Sequence, residues 1–547
     1  MSIIGKMQDW PLTVNKVIEH AKINYPRQRV VTRTVEGPIV ETNYSEIHDR
    51  AKQVSNALKA DGIQLEDRVA TLAWNTARHM ETWFGAMGIG SVLHTINPRL
   101  HPDQIAWIAN DAEDKVLFVD LTFVPLLEAV KDKFETVKRF VIYCDAAHLP
   151  ETTLENVVAY EDYIAGQSLD CTWGDFPETT ACGLCYTSGT TGNPKGVLYS
   201  HRSNVLHTLM TGMTDALGIS IHDRVLPVVP MFHANAWGLT FTCPAVGAEM
   251  ILPGAKMDGE SIYEMLDTYQ VTTSAAVPTV WLMLLQHLEA NDLKLPALDR
   301  VVIGGSAVPE RILRTFQEKY GVEVGHAWGM TETSPLGTIG SLTPEQMKQD
   351  YEHQIASKLK QGRPPFGVEM KITDDDGNDL PRDGKTSGHL LVRGMAIVDT
   401  YYKGAGGDGG TVLDEDDWFD TGDVANIDDQ GFMQITDRAK DVIKSGGEWI
   451  SSIDIENFAV GHPKVANAAA IGIYHPKWDE RPLLIIQLNE GETATKEDIL
   501  KQLEGKIAKW WTPDDVAFVD AIPLGATGKI NKLALRDMFK DYTLPTA

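Results

Sequence analysis

Residues 181–196 read ACGLCYTSGTTGNPKG, and the character of the chain changes inside this stretch. Residues 181–186 are a short apolar run of the kind that forms a buried strand. The chain then continues Thr187-Ser188-Gly189-Thr190-Thr191-Gly192-Asn193-Pro194-Lys195-Gly196. Glycines and small hydroxyl residues let backbone N–H groups approach anionic oxygens closely, and Lys195 adds a positive charge. The stretch therefore predicts a strand leading into a phosphate-binding loop. It is not a Walker A loop. That needs G-x-x-x-x-G-K, whereas Gly189 is followed five residues later by Pro194 and then Lys195. Cys182 and Cys185 form a C-x-x-C, but two residues three apart on a strand point to opposite faces, and no second pair exists to complete a zinc site. They read as core residues.

On either side, helical and strand patterns alternate, which predicts α/β layers. The segment YSEIHDRAKQVSNALKADG sets Ile47, Ala51, Val54 and Leu58 on one helical face, with Gly62 as a C-terminal stop. RVATLAW and KVLFVD (115–120) read as buried strands, and AVPERILRTFQEKYG as a helix between Pro309 and Gly321. The 547 residues are 43% apolar and 23% charged, the balance of a globular protein with room for several cores. A formal charge of −27 argues against nucleic acid and anionic membrane surfaces as partners. Five Cys are too few for a disulfide scaffold, and the amino-terminal MSIIGKMQDWPL has no apolar secretory core, so a cytoplasmic protein is expected. A boundary falls near 437–441, after the Gly- and Asp-rich KGAGGDGGTVLDEDDWFDTGD. It divides the chain into 1–437, with net charge −25, and 438–547, with net charge −2.

Further segments follow the loop in order: PMFHANAWG (230–238), GGSAVP (304–309), HAWGMTE (326–332), WFDTGD (418–423), DRAKDVIKSGGEWISSIDIE (437–456) and PLGATGKINK (523–532). This ordered set resembles the adenylate-forming superfamily of acyl-CoA synthetases, peptide-synthetase adenylation domains and luciferases, and spans nearly the whole chain. MQDWPLTVNKVIEHA and HTINPRL resemble its medium-chain acyl-CoA synthetase branch. The resemblance implies a large, multi-subdomain N-terminal α/β domain (1–437) and a small mobile α+β lid (438–547). The implied function is ligation of a carboxylic acid to CoA through an acyl-AMP, with ATP, Mg²⁺ and CoA taking part and a homodimer as the assembly.

Carried over by position, the resemblance assigns Thr187, Ser188, Gly189, Thr190, Thr191, Gly192 and Lys195 to the β- and γ-phosphates. Gly304, Gly305, Ser306, Ala307, Trp328, Gly329 and Met330 surround adenine. Thr331 meets the α-phosphate and Glu332 the Mg²⁺, a hard cation that prefers carboxylate and phosphate oxygens. Asp423, assisted by Arg438, takes the ribose hydroxyls. Lys529 bridges the substrate carboxylate and the α-phosphate, where a cation offsets the repulsion of two anions. Lys440 is the implied hinge, and Ser445, Gly446, Gly447, Glu448 and Trp449 are one wall of the CoA tunnel. His233 and Trp237 line the acyl pocket, although a His in an apolar run is more often a core residue.

Trp328 stands where the family usually has Tyr, which leaves the bond of that hydroxyl in question, and Gly525 stands where Thr is common. Bulky Met231, Phe232 and Trp237 favour short- to medium-chain acids, with 3-methylmercaptopropionate first and longer fatty acids as the alternative. Only 18 residues follow Lys529, so loading of an attached carrier is not expected, whereas a free carrier remains a rival acceptor. A non-catalytic nucleotide-binding regulator is disfavoured by the presence of both Glu332 and Lys529.

Overall fold

The computed structural model describes residues 5–187, 194–404, 410–445, 448–525 and 529–547. Among these, four sheets carry the architecture. The first has seven strands, in the order Val157–Ala159, Arg139–Ile142, Val116–Val119, Arg68–Leu72, Val92–Thr95, Ala181–Tyr186 and Gly196–Ser200. All its pairings are parallel except the last, in which Ala181–Tyr186 and Gly196–Ser200 run antiparallel at the sheet edge. The interior strand Val116–Val119 is buried throughout, as parallel strands covered on both faces must be. Cys182 and Cys185 are both buried and free, each near its own neighbour, Asn204 and Thr95 respectively.

The second sheet has eight strands. Its parallel core includes Arg224–Pro227, Thr273–Ala276, Arg300–Ile303 and Glu323–Gly329, and antiparallel strands Leu336–Ile339 and Ile39–Asn43 form its edges. Helices pack between and around these sheets. Tyr44–Ala60 starts on Asn43, whose side chain accepts from the Glu46 N–H, and buries Ile47, Ala51, Val54 and Leu58. It meets helix Ala77–Gly88 so closely that a Cβ on Gly85 would lie 2.7 Å from the Ala51 carbonyl oxygen. Glycine sets that interhelical distance.

A four-stranded antiparallel sheet, Val368–Thr373, Gly388–Gly394, Phe419–Ile427 and Met433–Arg438, follows. The carboxyl-terminal part has its own five-stranded sheet around Val465–His475 and Asp479–Leu488. Strand alternation divides its core in two: Ala468, Ala470, Leu484 and Ile486 pack with the helices Ser452–Val460 and Lys496–Leu503, while Ala469, Ile471, Leu483 and Ile485 pack on Leu535 and Leu544. A core that closes on itself in this way is what a small separate domain needs. No helix among the described residues is long and apolar enough to cross a membrane.

Candidate active site

The site residues collect where the parallel strands of the eight-stranded sheet end, and where the four-stranded sheet and the small domain reach over them. Open α/β sheets present ligand crevices at the carboxyl ends of their strands. Gly304 to Ala307 directly follow strand Arg300–Ile303, and Trp328 and Gly329 end strand Glu323–Gly329 beside it, with Met330 next in the chain. A Cβ on Gly304 would lie 3.0 Å from the Ala327 carbonyl oxygen and 3.2 Å from the Trp237 ring, and Gly305 has φ +83°. Both positions therefore suit glycine for local reasons as well as for space near a ligand.

Trp328 occupies its place because Gly337 leaves room, since a Cβ there would lie 2.3 Å from the indole. The indole N–H donates to Asp423 Oδ2 at 2.9 Å. Where the family usually has a Tyr hydroxyl, the indole presents this N–H donor to Asp423. Asp423 lies directly opposite Arg438 across the strand pair Phe419–Ile427 and Met433–Arg438, with Arg438 Nε 3.6 Å from its Oδ1. Burial raises the Asp423 carboxyl above the ordinary range, while Arg438 and the indole N–H oppose the shift.

Glu332 is buried at the start of the short turn after Met330, and Tyr401 donates its hydroxyl to Oε1 at 2.8 Å. Burial raises this carboxyl too, opposed by Tyr401, Arg438 and Lys195. Thr331 is half-buried, and its carbonyl accepts from the Tyr199 hydroxyl at 2.7 Å. Lys195 lies just before strand Gly196–Ser200 and faces Thr187. Its N–H donates to Thr187 Oγ1, the Thr187 N–H donates to its carbonyl, and its ammonium lies 4.7 Å from the centre of the Tyr401 ring. Tyr401 thus touches both Lys195 and the acidic Glu332, and sequence reasoning missed it. The only available signal was a Tyr pair before Lys403-Gly404, which has no motif-like spacing.

Lys529 is the small domain's contribution. Its carbonyl accepts from the Gly525 N–H at 2.7 Å. Its side chain retains access to water, yet the surrounding cleft walls and Arg438 lower its ammonium to about 8, against the pull of Asp423 and Glu332. His233 is half-buried, and burial lowers its imidazole to about 4, with Lys529 and Arg99 acting in the same direction. Arg99, in HTINPRL, is a second residue that sequence reasoning left without a role. From Ala234 to Trp237 the acyl segment runs through four consecutive left-handed residues, with φ of 41°, 60°, 50° and 55°. L-residues visit this conformation singly, so a run of four is strained.

The crossing to the small domain is pinned next to Lys440. Asp437, buried, accepts from the Ser452 N–H at 2.7 Å, and Arg536 pairs with Asp441 and donates to the Lys440 carbonyl. Ser445 lies on strand Ile443–Ser445 and accepts from Arg481. Ser188, Gly189, Thr190, Thr191, Gly192, Gly446 and Gly447, and the side chains of Glu448 and Trp449, lie outside the described residues.

Residues 18–402 match the model of the AMP-binding enzyme family, and residues 454–529 that of the AMP-binding enzyme C-terminal domain. The chain belongs to this family, as an acyl-CoA synthetase of the adenylate-forming superfamily. It is 49% identical to a 3-methylmercaptopropionyl-CoA ligase of Ruegeria lacuscaerulensis, over 98% of this chain and 99% of that one. It is 43% identical to a medium-chain-fatty-acid–CoA ligase of Ectopseudomonas oleovorans, over 99% and 98%. Among solved structures it resembles the anthranilate CoA ligase AuaEII in complex with anthranoyl-AMP, with a TM-score of 0.84 and 26% identity over 98% of this chain and 99% of that one.

Proposed function

We propose that this synthetase activates a short- or medium-chain carboxylic acid, with 3-methylmercaptopropionate as its best substrate. In the first step the carboxylate attacks the α-phosphorus of ATP, forming acyl-AMP and expelling pyrophosphate. In the second the CoA thiol attacks the acyl carbon, forming the thioester and releasing AMP and a proton. The observation that carries this reading is the approach of Lys529, from the small domain, to Asp423 and Glu332 of the large one, with Arg438 beside them at the boundary. One cation there faces both a carboxylate and a phosphate and needs no covalent enzyme nucleophile.

In this reading Thr187 to Gly192 and Lys195 hold the β- and γ-phosphates, and Thr331 the α-phosphate. Gly304 to Ala307 and Trp328 to Met330 enclose adenine, and Asp423 with Arg438 takes the ribose. Mg²⁺ commonly binds through one or two carboxylates plus substrate phosphates, and Glu332 fits that use: its carboxyl is buried, and desolvation raises it despite Tyr401, Arg438 and Lys195. The ion would draw charge from the phosphate oxygens. His233 and Trp237 line the acid's channel. The small domain, from Arg438, turns about Lys440 between the two steps and brings residues 445–449 to the thiol. The protein works as a cytoplasmic homodimer.

The 49%-identical methylmercaptopropionyl-CoA ligase supports the choice of acid, and the medium-chain ligase supports a broad optimum. A hydrophobic pocket separates neighbouring chain lengths by only about 1–3 kcal/mol per methylene. AMP release should require both a carboxylate and CoA. Across acetate to decanoate plus 3-methylmercaptopropionate, kcat/KM should peak at the methylmercapto acid or its close unbranched analogues. A peak at decanoate would overturn the substrate, and AMP release indifferent to CoA would overturn the ligase reading in favour of a carrier acceptor.

A further inference from the structure

A cavity of about 240 Å³ that shares no lining residue with the candidate active site lies between the hairpin Arg29–Arg33/Ile39–Asn43 and the N-terminal halves of helices Tyr44–Ala60 and Ala77–Gly88. Six carboxylates and two arginines line it. Both arginines are ion-paired: Arg50 with Glu81 at 2.9 Å and Glu161 at 3.1 Å, and Arg78 with Glu36 at 2.6 Å and Glu161 at 2.8 Å. After these pairings two buried carboxylate oxygens, Glu36 Oε2 and Asp120 Oδ1, are left with no hydrogen-bond partner. Asp120 is 1% exposed, and its other oxygen accepts from the Trp74 N–H at 2.6 Å. Burial, opposed by that N–H and by Arg78 but reinforced by Glu36, pushes the Asp120 carboxyl up to about 7.

Buried acceptors are almost always satisfied, so two orphaned oxygens on one acid-rich cavity point to a donor from outside the chain. We propose that this cavity binds a compact organic cation carrying N–H donors, a primary ammonium or a guanidinium, with Glu36 and Asp120 as its acceptors. The excess of carboxylates excludes an anionic guest, so neither ATP nor the acid substrate fits here. A bare metal ion is a poor match, because no three potential ligand groups converge among the described residues. A quaternary cation has the charge but no hydrogen to give to either oxygen, and this separates the proposal from mere electrostatic attraction.

The test is calorimetric titration of the full chain at fixed ionic strength with methylguanidinium, n-propylammonium and, as the donor-free control, tetramethylammonium. One saturable site per chain is expected for a donor-bearing cation, with tetramethylammonium weaker by about tenfold or more. Glu36→Gln and Asp120→Asn, which keep the shape of the side chain and remove its charge, should each weaken the donor-bearing probe by about tenfold. Equal binding of tetramethylammonium, no saturable heat with any probe, or unchanged affinity in a folded Glu36→Gln would overturn the proposal. Should both variants fail to fold, the ranking of the three cations on the parent protein decides it.

Discussion

Lys529→Arg should abolish the alkaline limb of the adenylation step, and the size of that limb follows from the setting of the lysine. A solvated lysine titrates near 10.5, but the cleft and Arg438 hold Lys529 at about 8 in the free protein. Between pH 7 and pH 9 the charged fraction of such a group falls about tenfold, while that of an ordinary lysine falls by only a few per cent. If the ammonium bridges carboxylate and phosphate, kcat/KM for acyl-AMP formation should fall about tenfold over that interval, since this parameter reports groups of the free enzyme. The limb in kcat should lie higher, because bound phosphates favour the charged form. Arginine stays charged throughout, so its profile should be flat to pH 9, at a lower absolute rate because a planar fork replaces a point charge. Lys529→Ala should lower adenylation by about 10²–10³-fold while leaving CoA transfer from pre-made acyl-AMP largely intact. Both half-reactions are measurable separately, by acid-dependent pyrophosphate exchange and by thioester formation from synthetic acyl-AMP. A limb near pH 8 that persists in Lys529→Arg, or an equal fall of both half-reactions in a folded Lys529→Ala, would refute the role.

Gly337→Ala should displace the Trp328 ring, whose edge lies 2.3 Å from the new Cβ, and raise KM for ATP by about tenfold, or ~1.4 kcal/mol; an unmoved KM in steady-state kinetics would show that the ring carries no nucleotide. Lys440→Pro should impair CoA transfer far more than adenylation, because proline fixes φ at the residue assigned to absorb the rotation; parallel rates in the two half-reaction assays would remove it as the hinge. Trp237→Ala should shift the chain-length optimum toward longer acids by deleting the bulkiest side chain of the acyl segment. The same kcat/KM panel measured on parent and variant checks it, and an unmoved optimum would exclude a gating role.

The Thr/Gly loop, HAWGMTE, WFDTGD and the lysine of PLGATGKINK were all legible from the chain, because each concentrates its chemistry within ten contiguous residues. The helix at 44–60 was legible for a similar reason: the spacing of Ile47, Ala51, Val54 and Leu58 is itself the period of the face it buries. What joins these pieces is not local. Asp423 meets the Trp328 indole across 95 positions and Tyr401 reaches Glu332 across 69, and no periodicity encodes such separations. The doubt over Trp328 could not be settled from the chain for that reason, since the partner of its N–H comes from another sheet. Tyr401 and Gly337 are indistinguishable in sequence from a loop tyrosine and a strand glycine until folding sets Lys195 against one and an indole against the other. The depressed ammonium of Lys529 belongs to the same class: lysine brings the charge, but desolvation by the cleft walls and the nearness of Arg438, far off in the chain, arise only on folding.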